Sequence, residues 1–263
     1  MSVKISGASI NSVSMGHVPA SFNPVTFWSG YNGGFWDFTN PANLFADTAL
    51  TVPATLNAVG GVWGVTDLSG LGHKLTRDTG GGGTSFTMRS GYCESNFGAL
   101  DTVAISIGNV YTYIALFRPT AIGSLQNLVD SDYGISNRVA QALIITTTGH
   151  MQSYIFGYSS PSIIMPSPTL STGVDYFTAA AVNNTSEDLS VAGTTYTAGG
   201  GTLVGGLAPV AVGASFGGTL TPQYQQFTGR IYCAAMITKK CTALEIQDIG
   251  NYMNSLAGTS AVV

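Results

Sequence analysis

Between Asp101 and Thr238 apolar residues recur with a period of two, the spacing that puts every second side chain on one face of a β-strand. Thr102–Ile107 (TVAISI) alternates in this way. Val110–Phe117 (VYTYIALF) alternates on both faces at once: Val110, Thr112, Ile114 and Leu116 fall on one, Tyr111, Tyr113, Ala115 and Phe117 on the other. A strand apolar on both faces needs cover on each, and Pro119 ends this one. The runs NLVD, VAQALIITTT, MQSYIFGY, SIIM, DYFTAAAVNN, DLSVAG, TTYTAGG, APVAVGAS and QFTGRIYCAAMIT follow, separated by Gly, Pro, Asn or Ser. Many short strands with no helical pattern between them predict an antiparallel sandwich and not βαβ units. SVAGTTY predicts a hairpin turning at Ala192-Gly193.

The period becomes helical only near the end of the chain. Thr242 and Glu245 form a T-x-x-E capping box; Ile246, Ile249, Met253 and Leu256 make one apolar stripe, and Gly258 stands where a helix stops. This helix is expected to lie against the edge of the sandwich. Residues 1–25 read as an extended arm, delimited by Pro19 and Pro24 and carrying β-branched Val3, Ile5, Ile10, Val13 and Val18. Residues 26–263 read as one sandwich domain. Its first part is dense in turns and aromatics, and the glycines at 80–83 read as a loop tip, since no GK[ST] follows them.

Composition sharpens the picture. Charged residues are only 8% of the chain, about a third of the ~25% of a typical globular protein. Its surface must therefore be covered by Ser, Thr, Asn, Gln and the 34 Gly, which suits strands and turns and a chain that works inside a large assembly. The net charge is -4 and Lys239-Lys240 is the only adjacent basic pair, so nucleic acid is not an expected partner. No run is long enough to insert in a membrane, and the first residues lack the apolar core of a signal peptide, so synthesis and folding are expected in the cytoplasm. Cys93, Cys233 and Cys241 have no C-x-x-C spacing and read as buried free thiols.

Two segments carry a resemblance. FTGRIYCAAMITKKCTALEIQDIGNYMNSL (227–256), with Phe227, Gly229 and Ile231 followed by Leu244, Glu245 and Ile246, resembles the closing segment of laminin-G-like and concanavalin A-like jelly rolls. Trp36-Asp37, Asn43–Asp47 and the stretch from Val59 to His73 are similar to the leader that precedes laminin-G-like domains in tailed-phage virion proteins, although Gly60-Gly61-Val62 precedes Trp63 here. The turn chemistry of Asp67-Leu-Ser-Gly-Leu-Gly-His73 is legible by itself. Asp and Ser bond back to backbone amides, and the two glycines take positive φ.

The resemblance implies an all-β jelly-roll sandwich and a virion protein at the particle surface, foremost a capsid decoration or cement protein. The alternative is a tail-associated, carbohydrate-binding receptor module. Expected partners are the major capsid protein and other virion proteins, a second copy of the chain, and for the alternative a host-surface glycan.

The same jelly roll also hosts glycosidases, which need two carboxylates at a short separation. Glu94, Glu187 and Glu245 are far apart in sequence, and no G-x-S-x-G occurs, so no catalytic residue is assigned and the chain is expected not to be an enzyme. Asp130-Ser-Asp132 is the one i, i+2 Asp pair; it could hold a cation or an acid/base pair, but turn chemistry at a strand end is the favoured reading. His17, His73 and His150 lack metal-ligand spacing, and no metal or cofactor is expected. Tyr133, Tyr154 and Tyr158, in polar surroundings, are the candidate glycan contacts; the alternative is that they pack in the sheets with their hydroxyls outward.

Overall fold

The two-faced strand Tyr111–Pro119 lies at the centre of the molecule. In the computed structural model, which describes residues 22–77, 86–96, 98–131, 140–156, 167–199, 206–213, 215–217, 221–224 and 226–263, it is a middle strand of a sheet buried on both sides. That sheet runs Thr194–Gly199, Ser186–Val191, Tyr176–Val182, Tyr111–Pro119, Thr228–Ile237, Tyr92–Asn96, Phe86–Arg89. The long strand Thr228–Ile237 gives one edge to Tyr111–Pro119. Its other edge is shared: residues 228–231 pair with Tyr92–Asn96, and 233–237 pair with Gly33–Asp37.

The second sheet runs Met151–Phe156, Ala140–Ile145, Gln126–Asp130, Ala211–Val212, Leu100–Asp101, Leu75–Thr76, Gly64–Val65, Leu44–Phe45. Two ribbons, Ile105–Ile107 with Gly206–Ala208 and Ser215–Gly217 with Thr221–Tyr224, complete the described strands. Every pairing between the described strands is antiparallel, and the chain is an antiparallel jelly-roll β-sandwich with a C-terminal α-helix.

The alternation in Val110–Phe117 sorts side chains as its pattern demands. Tyr111, Tyr113, Ala115 and Phe117 enter the core between the sheets, where they meet Leu128, Val129, Leu143, Ile145 and Phe227. Ile114 and Leu116 point the other way, into a second apolar layer with Ala179, Ala181, Cys233 and Ala235. The helix Ala243–Ala257 covers this layer with Ile246, Ile249 and Met253. It therefore lies on a face of the sandwich and not against its edge. The reason is size. Ala179, Ala181 and Ala235 present only methyl groups, which allow a helix close approach, and the helix answers with Gly250, where a Cβ would stand 2.5 Å from Val263 and 3.0 Å from the Phe177 ring. Thr242 and Glu245 form the expected capping box, and Gly258 takes the left-handed conformation at φ 63°.

A second, five-residue helix, Pro24–Trp28, is too short to show a helical period in the sequence. Asn23 caps it by accepting from the amide of Val25 at 2.9 Å, and Pro24 occupies its first turn, where a missing N–H costs nothing. Phe22 packs on Phe27, Trp28 and Tyr252, so the packed body reaches back at least to Phe22, into the stretch assigned to the arm. Residues 1–21 and the glycines at 80–83 lie outside the described residues. Cys93, Cys233 and Cys241 are buried free thiols, and burial pushes the pKa of each upward, that of Cys241 to about 11. Among the described residues no helix is long and apolar enough to cross a membrane.

The Ala192-Gly193 turn joins Ser186–Val191 to Thr194–Gly199 with both residues left-handed, at φ 47° and 76°. That is the type I′ geometry, in which Asn precedes Gly most favourably and an alanine is strained by about 1 kcal/mol. Ala192→Asn is expected to stabilise the fold by about 0.5–1 kcal/mol, seen as a thermal midpoint raised by about 2–4 °C. A lowered midpoint would contradict this account of the turn.

Candidate functional site

The leader carboxylates are all consumed by turns. Asp37 accepts from the amide and hydroxyl of Thr39 at 2.8 and 2.6 Å and from Asn43 Nδ2 at 3.0 Å. Asp47 accepts from the amides of Thr51 and Val52 and from the Thr51 hydroxyl, bonds that lower its pKa. Asp67 accepts from the amides of Phe35, Ser69 and His73 at 3.1, 2.8 and 2.9 Å and from the Ser69 hydroxyl at 2.8 Å. Gly70 and Gly72 take φ of 81° and 79°, as the Asp-x-Ser-Gly-x-Gly spacing requires, and Trp36 Nε1 donates to the carbonyl of His73. The motif is a structural staple and offers no free carboxylate to a ligand.

Four further acidic residues are also engaged. Glu94 pairs with Arg89 at 2.7 Å, Glu245 with Lys239 and the helix cap, Asp188 with Lys240 at 2.6 Å, and Asp175 with both Arg118 and Tyr232. His73 serves the Asp67 turn through its backbone, and His150 Nδ1 lies 2.6 Å from the carbonyl of Ser167. Among the described residues no group of three or more His, Cys, Asp or Glu could hold a metal ion.

What remains is a polar row on the second sheet. Val129, Leu143, Ile145 and Met151 face the inner core, so by alternation Asp130, Ala142, Ile144 and Gln152 occupy the outer face, while an irregularity of register keeps Leu128 inside. Two cross-strand rows result: Asn127 with Ile144 and Gln152, and Asp130 with Ala142 and the position of Tyr154. An irregularity between Asn127 and Val129 shortens the distance along the strand, and Asn127 Nδ2 donates to Asp130 Oδ2 at 2.9 Å. Asn127 and Asp130 are buried, and Asn127 Oδ1 has no hydrogen-bond partner.

Asp130 thus ends a strand, as expected, but as a hydrogen-bonded buried group and not in a solvated turn; Asp132 lies outside the described residues. Tyr133 and Tyr158 also lie outside them. Tyr154 sits in Met151–Phe156, in register with Ala142. The described residues that flank the segments holding Tyr133 and Tyr158, namely Ser131, Ala140 and Phe156, belong to the same end of the second sheet, where Ala140 pairs with Phe156.

Two aromatic side chains of the turn-dense first part of the domain keep a share of the surface. Trp63 is 37% exposed, with the Arg77 guanidinium 4.7 Å from its ring centre and its Nε1 bonded to the Gly60 carbonyl. Tyr31 is 36% exposed and faces Lys239.

Domain 4 of AbnA, a GH43 extracellular arabinanase from Geobacillus stearothermophilus solved with arabinotriose, superposes with a TM-score of 0.54 at 14% identity, over 83% of this chain and 98% of that one. The likeness is one of fold. A Trypanosoma rangeli sialidase gives 0.53 at 8% identity over 84% of this chain, which spans only 32% of the sialidase. The CBM40 of a Ruminococcus gnavus IT-sialidase, solved with α2,3 sialyllactose, gives 0.46 at 15% identity over 57% of this chain and 97% of that domain. No protein-family model and no curated protein sequence matches the chain.

Proposed function

We propose that the chain is a carbohydrate-binding module, acting by recognition and not by catalysis, with its site at the end of the second sheet marked by Asn127, Asp130 and Tyr154. The observation that carries this reading is the fold shared with the arabinanase domain solved with arabinotriose, over 83% of this chain and 98% of that one. Asn127 and Asp130 are buried and hydrogen-bonded to each other, so their part is to fix the strand end beneath the site and not to touch the sugar. Tyr154 lies in the same row, and an aromatic ring is the usual apolar platform for a sugar face. The arabinanase domain, which shares the fold over nearly all its length, was solved with a bound oligosaccharide, and this supports the reading.

The test is a glycan-array screen of the full chain, followed by titration calorimetry on any sugar retained. Tyr154→Ala is expected to weaken binding about tenfold or more, the loss of one stacking contact. Trp63→Ala should leave it unchanged. Loss of binding with Trp63 alone would move the site to the opposite end of the sheet, and retention of no glycan would overturn the reading. Release of reducing sugar from any retained glycan would overturn its non-catalytic part.

The leader resemblance around Trp36, Asn43–Asp47 and Asp67–His73 favours a place on a phage particle, where such a module would serve receptor recognition on the tail. Copies per purified particle, counted by mass spectrometry, separate this from a head decoration role: a handful supports the tail, hundreds the head, and none would remove the virion reading.

A further inference from the structure

The inner core contains a polar cluster that no part of the proposed site uses. Glu187 follows the two-residue period of Leu189 and Val191, which places its side chain between the sheets, where it is 0% exposed. The Ser153 hydroxyl of the opposing sheet acts on it, yet neither carboxyl oxygen closes a well-formed hydrogen bond. Across Val182 in the same sheet stands Tyr111, followed two residues on by Tyr113, the rings 5.6 Å apart; both hydroxyls are buried and without a hydrogen-bond partner, as is that of Ser131 on the opposing sheet. An orphaned carboxyl among orphaned hydroxyls in a sandwich core is tolerable as a neutral acid and costly as an anion.

We propose that this cluster is a proton-operated latch, in which neutral Glu187 lets the hairpin Ser186–Gly199 close over the inner core and its ionisation releases that hairpin. The groups that act on Glu187 come from every element around it. Burial is the largest influence and raises its pKa; Ser153 of the opposing sheet lowers it, Asp188 beside it raises it, and Lys240 lowers it, with the balance at about 7. Burial keeps the Tyr111 and Tyr113 phenols protonated; at Tyr113 the Ser131 hydroxyl opposes this and Asp130 adds to it, so neither phenol neutralises the acid. Lys240 is held at the adjoining positions, 2.6 Å from both Asp188 Oδ2 and Ser186 Oγ.

The hairpin is the element free to respond. It supplies the two outermost strands of its sheet, and only Ser186–Val191 joins it to the next strand. The folded-state pKa lies above the 4.5 of an ordinary glutamate, so the folded chain binds the proton more tightly. The stabilising contribution is therefore complete below about pH 4.5 and is lost as the pH rises toward 7.

Amide hydrogen exchange of the full chain tests the proposal, with rates corrected for the intrinsic effect of pH. Protection of residues 187–197 is expected to fall by about tenfold or more between about pH 5 and pH 8, while that of Tyr111–Pro119 stays level. In Glu187→Gln, which keeps the shape and cannot ionise, the hairpin should be insensitive to pH over this range. The same fall in Glu187→Gln, or no fall in the wild-type chain, would overturn the latch. If Glu187→Gln does not fold, the carboxyl resonance of Glu187 in the wild-type chain decides: a midpoint near 7 supports the proposal and one near 4.5 defeats it.

Discussion

Asp67→Ala is expected to destabilise the chain by about 3–4 kcal/mol, as much as removing a large core side chain. One carboxylate there satisfies three backbone amides and one hydroxyl, and the Phe35 amide belongs to a fully buried strand residue. Alanine would leave these donors without their acceptor, at about 1–3 kcal/mol for each one buried away from water. Asp67→Asn should be nearly as damaging, because one carboxylate oxygen becomes an NH₂ that faces donors. Urea unfolding followed by tryptophan fluorescence measures the loss. A change below about 1 kcal/mol would mean that the loop is held by its glycines and not by the carboxylate.

The second large effect is expected at Gly33. Its φ is 130°, and a Cβ there would stand 1.9 Å from the carbonyl oxygen of Met236, a backbone atom that cannot yield without breaking the ladder from Gly33 to Asp37. Gly33→Ala should cost about 3 kcal/mol or more. Gly72→Ala is the control, since it shares a positive φ, 79°, but opens into empty space, and about 1 kcal/mol is expected from conformation alone. Equal losses in the two variants would show that close approach to Thr228–Ile237 is not what requires glycine at position 33.

The parts of the fold legible in the sequence are those encoded locally. The helix Ala243–Ala257 announces itself within a few residues through Thr242, Glu245 and Gly258, and the two-faced strand through eight consecutive positions. Its resting place was not legible, because the flat surface it covers is assembled from Ala179, Ala181 and Ala235, on strands distant in sequence. Strands such as Leu44–Phe45, Gly64–Val65 and Leu75–Thr76 are two residues long and too short to show any period. What that stretch shows in the sequence is its density of aromatics and the turn chemistry of Asp67–His73. Asn23-Pro24 did carry a helix-start signal, hidden by reading the proline as the end of an arm.

At the candidate site the sequence singled out Tyr154 and Asp130 separately. That they share a row depends on register, and register depends on the irregularity beside Leu128. Asn127 went unnoticed for the same reason. Glu187 was dismissed as one of three scattered glutamates, although its spacing from Leu189 and Val191 already assigned it to the inner face.

The seam between Gly33–Asp37 and Thr228–Ile237 also dictates an order of events during synthesis. Asn32 and Thr238, hydrogen-bonded at 2.8 Å where the seam begins, are 206 positions apart. Phe35 and Trp36 therefore leave the ribosome long before the strand that covers them exists, a wait of about 10–40 s at ordinary elongation rates. Over that interval two large aromatic side chains and an unpaired strand edge stay open to neighbouring nascent chains, with few nearby charges to repel them. Yield should then depend on elongation speed and on holdase chaperones more steeply than the stability of the finished sandwich would suggest.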